Sequence, residues 1–168
     1  MSRTIAFAVL WAAILLLPLN APAQPAATVS DAGALAEAVQ SFNQSGAPGE
    51  ILLANGVYRL DTMLRIEGDG GTVRSASGDR DAVVLEGHGM DGDVTHVFNV
   101  AGSRFTLEDL TLGLVSQHGV QMQPSADEPL LRNLRIIDCG EQLVKVAWNE
   151  ADPDAASDRG LMERCLLE

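Results

Sequence analysis

Phe105-Thr106-Leu107-Glu108-Asp109-Leu110-Thr111-Leu112 and Leu130-Leu131-Arg132-Asn133-Leu134-Arg135-Ile136 are two copies of one pattern. Leu107 matches Leu131, Leu110 matches Leu134 and Leu112 matches Ile136, each 24 residues on. A third copy, Met162, Cys165 and Leu167, follows 31 further along, and the seven extra residues fit the polar Asp/Ala-rich stretch from Asn149 to Arg159. A second strand repeats in step: His96-Val97-Phe98-Asn99-Val100, His118-Gly119-Val120-Gln121-Met122 and Gln142-Leu143-Val144-Lys145-Val146, spaced 22 and 24.

Several short strands in a period of 20 to 25 residues indicate a solenoid, because one coil cannot bury its apolar face alone and must stack on the next. The first half fits the same reading. Ile51-Leu52-Leu53, Val57 to Leu60, Met63 to Ile66, Thr72 to Ser75 and Val83 to Leu85 are short apolar runs cut by Gly, Asp and Asn. An antiparallel sandwich accounts for these runs but not for the repeat. A leucine-rich repeat accounts for Leu-x-x-Leu-x-Leu, but no helix follows that motif and the coils read as strand and turn throughout.

Upstream, Leu35, Ala38, Val39 and Phe42 fall at helical spacing, with Ser30 or Asp31 available as the N-cap and Ser45-Gly46-Ala47-Pro48-Gly49 as the stop. This single amphipathic helix, placed over 29–44, is expected to plug the open end of the stack and cover its edge strands. Gln24 to Thr28 reads as a Pro/Ala linker. The front of the chain is a signal peptide over 1–23: Arg3, an apolar run from Ile5 to Leu17, and Ala21-Pro22-Ala23 as the cleavage site. The run is short of the roughly 20 apolar residues that span a bilayer. The mature protein is therefore expected to be secreted or periplasmic, without a stable membrane anchor.

The 168 residues carry 23 acidic and 11 basic side chains, a net charge of −12. Nucleic acid is excluded as a partner, since binding it needs a basic face. Aromatic residues are 4% and hydrophobic residues 46%, so the core is aliphatic. Cys139 and Cys165 do not make a disulfide scaffold, and Cys165 takes the place of a core Leu in the repeat; their pairing stays open.

The chain resembles the N-terminal part of the right-handed parallel β-helix proteins of the pectin-lyase-like superfamily, of the bacterial exported type. The helix carries the resemblance together with Pro48-Gly49-Glu50-Ile51-Leu52-Leu53-Ala54-Asn55-Gly56-Val57-Tyr58, Thr72 to Ser75, Gly78 to Gly87, Phe105 to Leu112 and Gly140 to Val146. It implies an all-β fold, a right-handed parallel β-helix (solenoid) with an N-terminal capping α-helix, over residues 29–168. Such proteins are usually longer, and Cys165 to Glu168 stops inside a strand, so C-terminal truncation is expected. The superfamily hosts many activities, which makes the resemblance specific for fold and weak for function.

Strand alternation turns Phe98/Val100, Val120/Met122 and Val144/Val146 inward, and Asn99, Gln121 and Lys145 outward as a ladder. Amides suit sugar hydroxyls. Polysaccharide lyases of the superfamily use a basic residue to take the proton beside a uronate carboxyl, with Ca²⁺ or another cation offsetting the charge. The resemblance thus implies Lys145, the only lysine, as a catalytic base, with Asn99, Gln121 and Glu141 as substrate-binding residues and a polysaccharide as partner. The plainer reading is a solvent-facing Lys145 paired with Glu141 or Glu150.

His96 and His118 read as corner residues bonded to backbone; a metal pair lacks a third ligand in step. Glu108, Arg132 and Glu163 read as cross-strand charge pairing. The acidic stretch Glu150 to Asp154 with Asp158 matches no calcium-loop spacing. No metal-ligating residues are assigned. The alternative to a lyase-like protein is a non-catalytic β-helix surface, adhesion or structural module. N-terminal sequencing of the exported protein is expected to start at Gln24; a start at Met1 would mean the apolar run is retained.

Overall fold

The computed structural model describes residues 24–152 and 155–168. The expected signal peptide lies outside them, as do positions 153 and 154 of the acidic stretch. Among the described residues one α-helix, α1 (Ala32–Ser45), one 3-10 turn and fifteen strands follow in this order: β1 (Gln24–Val29), α1, β2 (Gly49–Leu53), β3 (Gly56–Arg59), β4 (Leu64–Ile66), β5 (Gly71–Ser75), the 3-10 turn (Arg80–Ala82), β6 (Val83–Glu86), β7 (His96–Val100), β8 (Thr106–Glu108), β9 (Thr111–Val115), β10 (His118–Met122), β11 (Leu130–Arg132), β12 (Arg135–Cys139), β13 (Val144–Val146), β14 (Leu161–Glu163) and β15 (Leu166–Leu167).

The strands form three sheets. Sheet A is β1-β2-β5-β8-β11-β14, sheet B is β15-β12-β9-β6-β3, and sheet C is β13-β10-β7-β4. From β2 onward the chain visits A, B and C in rotation, and every pairing is parallel. The fold is mostly β, with strands stacked in register as a solenoid requires. Like positions pile into apolar ladders: Ile51, Val73, Leu107, Leu131 and Met162 in sheet A; Tyr58, Leu85, Leu112, Ile136 and Leu167 in sheet B; Ile66, Val100, Met122 and Val146 in sheet C. The 24-residue repeat read from the sequence is therefore the rung-to-rung step.

The corners repeat as well. Arg104, Glu128 and Arg159 have φ of 54, 55 and 54°, and Asp109, Asn133 and Arg164 have φ of 58, 48 and 55°. These left-handed residues turn the chain from one sheet to the next. Asn133 Nδ2 donates to Asp109 Oδ1 at 2.6 Å, so two corners are also bonded along the stack.

At the N-terminal end α1 covers the first coil. Asp31 is its N-cap, accepting from the Ala34 N–H at 2.8 Å, and Gly46, with φ 61°, ends it. The helix starts three residues later than the expected Val29, which belongs to β1. Leu35, Val39 and Phe42 are its buried stripe. A Cβ on Gly71 would lie 2.4 Å from the Phe42 ring and one on Gly68 2.7 Å, so these glycines make the seat for that ring. Asn43 ties the helix down by donating to the Arg65 carbonyl and accepting from the Glu67 and Gly68 N–H groups.

The segment expected as a linker over 24–28 is instead part of β1. The edge of β2 offers unpaired backbone groups, and β1 takes them up in parallel register, Val29 opposite Leu53. The Tyr58 hydroxyl lies 2.9 Å from the Val29 carbonyl and 2.8 Å from that of Ala54, within donating distance of each. At the other end the ladder residues Val146, Met162 and Leu167 are 56%, 42% and 47% exposed, against 6% or less for the Met122, Leu131 and Ile136 beneath them.

Two substitutions test the helix seat by urea denaturation. Phe42→Ala is expected to cost about 3–5 kcal/mol through the cavity it leaves. Gly71→Val is expected to cost about 1–3 kcal/mol by driving a side chain into the ring. A near-neutral Phe42→Ala would mean that α1 does not hold the first coil.

Candidate functional site

The outward ladder of sheet C is longer than the repeat alone predicts. In-register pairing places Arg65 (β4), Asn99 (β7), Gln121 (β10) and Lys145 (β13) side by side on successive rungs. Each lies between two inward apolar residues of its strand. At the usual strand separation the four positions span about 14 Å.

The amides are bonded to their neighbours. Asn99 Oδ1 accepts from the Arg65 guanidinium and from Gln123 Nε2, the latter at 3.1 Å, and its Nδ2 donates to Gln121 Oε1 at 3.3 Å. Asn99 is only 6% exposed. Its acceptor and one of its two amide N–H donors are thus committed inside the face, and it acts there as a brace. Gln121 Oε1 is shared between Asn99 and His96 Nε2, which leaves the Gln121 amide N–H groups for a ligand. Gln121 and Lys145 are half-buried and Glu141 is exposed.

His96 and His118 stand opposite each other at the starts of β7 and β10, their rings 5.0 Å apart and edge to face. They are 6% and 1% exposed. His118 Nδ1 lies 3.2 Å from the Gln142 carbonyl and 3.3 Å from the Gln142 N–H, as expected of a corner residue bonded to backbone. Its Nε2 is 3.6 Å from Glu141 Oε2. His96 departs from that expectation. Its Nε2 meets the Gln121 side chain, and its Nδ1 is buried without a partner among the described residues.

His96 and His118 are two residues before the inward Phe98 and Val120, but alternation slips at the residue that follows each histidine. A Cβ at position 119 would sit 2.4 Å from the side chain of Ile136, a core residue, so position 119 faces inward. In β7 the consecutive Val97 and Phe98 are both fully buried, and His96 reaches the outward Gln121.

Burial lowers the pKa of both imidazoles. The hydrogen bond to Gln121 opposes this at His96 and the one to Gln142 opposes it at His118; the positive charge of Lys145 lowers both further and Glu141 raises both. Lys145 is in register with Gln121 on the next rung, close enough for its charge to be felt by both rings. Neither expected ion pair forms among the described residues, since Glu141 is turned toward His118 instead.

The remaining candidates are structural. Glu108, Arg132 and Glu163 are in register with Arg74, a fourth rung that the repeat did not reveal. Arg132 contacts Glu163 at 2.5 Å and Glu108 at 3.4 Å. Both cysteines are free. Burial pushes the Cys139 thiol up to about 11, so it is an unreactive packing group. Among the described residues no group of three or more His, Cys, Asp or Glu side chains is placed to hold a metal ion. Compared with protein-family models, curated proteins and solved structures, the chain matches none.

Two expectations follow. Asn99→Ala should lower stability by about 1–3 kcal/mol, because it strips partners from a buried network, whereas Lys145→Ala should change it by less than about 0.5 kcal/mol. Because the folded state disfavours the imidazolium forms, stability should be constant above pH 6.5 and fall as the pH drops from there through the folded-state pKa values. Urea midpoints between pH 8 and 4.5 check this, and a flat profile across pH 6.5 to 5 would contradict it.

Proposed function

We propose that this chain is an exported right-handed parallel β-helix of the pectin-lyase-like kind whose sheet C face binds an extracellular polysaccharide. The observation that carries the reading is the in-register ladder Arg65–Asn99–Gln121–Lys145. It sets two cations at the ends of a row of braced amides, and its free groups are mostly hydrogen-bond donors, which suit sugar hydroxyls and carboxylates. Parallel crossovers within a sheet are right-handed in about 98% of cases, which supports the handedness. The apolar run from Ile5 to Leu17 supports export and a secreted or periplasmic location.

Lys145 is the candidate base. In a β-elimination its neutral amine takes the proton beside a uronate carboxyl, the glycosidic C–O bond beyond it breaks, a C=C bond forms, and the departing oxygen takes a proton from solvent. Glu141, exposed and 3.6 Å from His118 Nε2, is a candidate for orienting the sugar. Ca²⁺ would offset the uronate charge, but Glu141 alone is no calcium cage.

A second reading is a non-catalytic surface or adhesion module. The observation favouring it is that Asn99 and Gln121 spend part of their capacity on each other, on Arg65 and on His96.

A panel of neutral and uronate polysaccharides, with and without Ca²⁺, distinguishes the two. The lyase reading expects ultraviolet absorbance of an unsaturated uronide and its loss in Lys145→Ala, by at least about 100-fold as for a general base. Reducing ends without that absorbance would make the protein a hydrolase. Binding without either product would support the module, and folded protein that neither binds nor cleaves any member would remove polysaccharide as the partner.

A further inference from the structure

We propose that His96 and His118 form an acid-sensitive latch behind the sheet C face, which holds its amides aligned when both rings are neutral and lets them go when either ring is protonated. The inference rests on the polysaccharide-face reading for its consequence but not for its mechanism.

The geometry is that of a switch. Two imidazoles on successive rungs meet edge to face at 5.0 Å, both nearly inaccessible to water. Two charged rings at that distance repel, and burial removes the solvent that would screen them. His96 is bonded through Nε2 to Gln121 Oε1, which also holds Asn99 Nδ2. Asn99 in turn receives Arg65. One ring thus sits at the head of a chain of side chains that runs across three rungs.

The charged groups around the pair are mixed. Lys145 on β13 disfavours a charge on either ring, and Glu141, before β13, favours one. Arg65 on β4 acts through Asn99. Glu141 lies 3.6 Å from His118 Nε2 and is exposed, so a proton arriving from solvent has a carboxylate to draw His118 toward. That motion takes His118 out of its contact with His96. Among the described residues His96 Nδ1 has no partner that could accept a hydrogen bond, so charging His96 in place leaves a buried N–H unpaired. Either protonation event works against the arrangement that orders Gln121.

An exported protein meets the pH of its surroundings directly. Near neutrality the latch keeps the Gln121 donors presented beside Lys145, and acidification disperses them and releases the ligand. Histidine is the side chain whose charge changes in this range.

The test needs no ligand. Imidazole Cε1–H resonances and the side-chain amide resonances of Gln121 and Asn99 are followed by NMR from pH 8 to 4.5 on the chain from Gln24, with circular dichroism recorded in parallel. The latch predicts midpoints below 6.5 for both rings and amide shifts of Gln121 and Asn99 that move with the same midpoints while the β signal persists. His118→Gln, with the His96–Gln121 bond retained, is expected to move the His96 midpoint upward by removing its charged competitor.

Rings that titrate at 6.5 or above, or amide resonances that stay still while the rings titrate, would overturn the latch. So would a global loss of β structure at the same midpoint. Failure of polysaccharide binding, scored separately, would leave these resonances unaffected and would count against the proposed function alone.

Discussion

The structure depends on parallel hydrogen bonding between rungs that hold like residues in register. A single rung of three short strands has an apolar side too small to fold by itself. Stacked, Leu107 lies against Leu131 and Leu112 against Ile136, and the core becomes continuous from Tyr58 to Ile136. The same register decides what stands on the outside. Arg74, Glu108, Arg132 and Glu163 alternate in sign along sheet A, and Arg65, Asn99, Gln121 and Lys145 line sheet C, because each outward position repeats once per coil.

The regular half of the stack was readable from the sequence. Steps of 22 and 24 residues are close enough to constant for Phe98, Val120 and Val144 to align without knowledge of the turns. The first coils were not readable in this way. Arg65 and Asn99 are 34 residues apart, as are Arg74 and Glu108, because long turns both precede and follow β6; the step therefore gave no warning that each ladder had an earlier rung. Alternating charge, with Arg74 ahead of Glu108, was the signal available. β1 was missed for a different reason. Pro and Ala are poor strand formers, and it is the unpaired edge of β2 that makes this segment a strand.

At the candidate site, sequence periodicity found the rungs but not the local departures from period two. Gly119 permits position 119 to face Ile136, which places His118 outside the alternation rule. Hydrogen bonding then changes the meaning of the candidates. Asn99 was placed outward by parity, yet it is buried beneath Arg65, Gln121 and Gln123 and braces the face. Lys145 is in register with Gln121 as expected, but Glu141, its expected ion-pair partner, is turned to His118.

Register is therefore the claim on which core, site and latch all rest. Methyl-labelled protein offers a direct measurement, through nuclear Overhauser contacts along the apolar ladders. The account predicts cross-peaks from Leu107 to Leu131, from Leu112 to Ile136 and from Val100 to Met122, each joining residues one coil apart. Cross-peaks instead linking opposed positions of consecutive strands, such as β9 with β10 as an antiparallel hairpin, would contradict it.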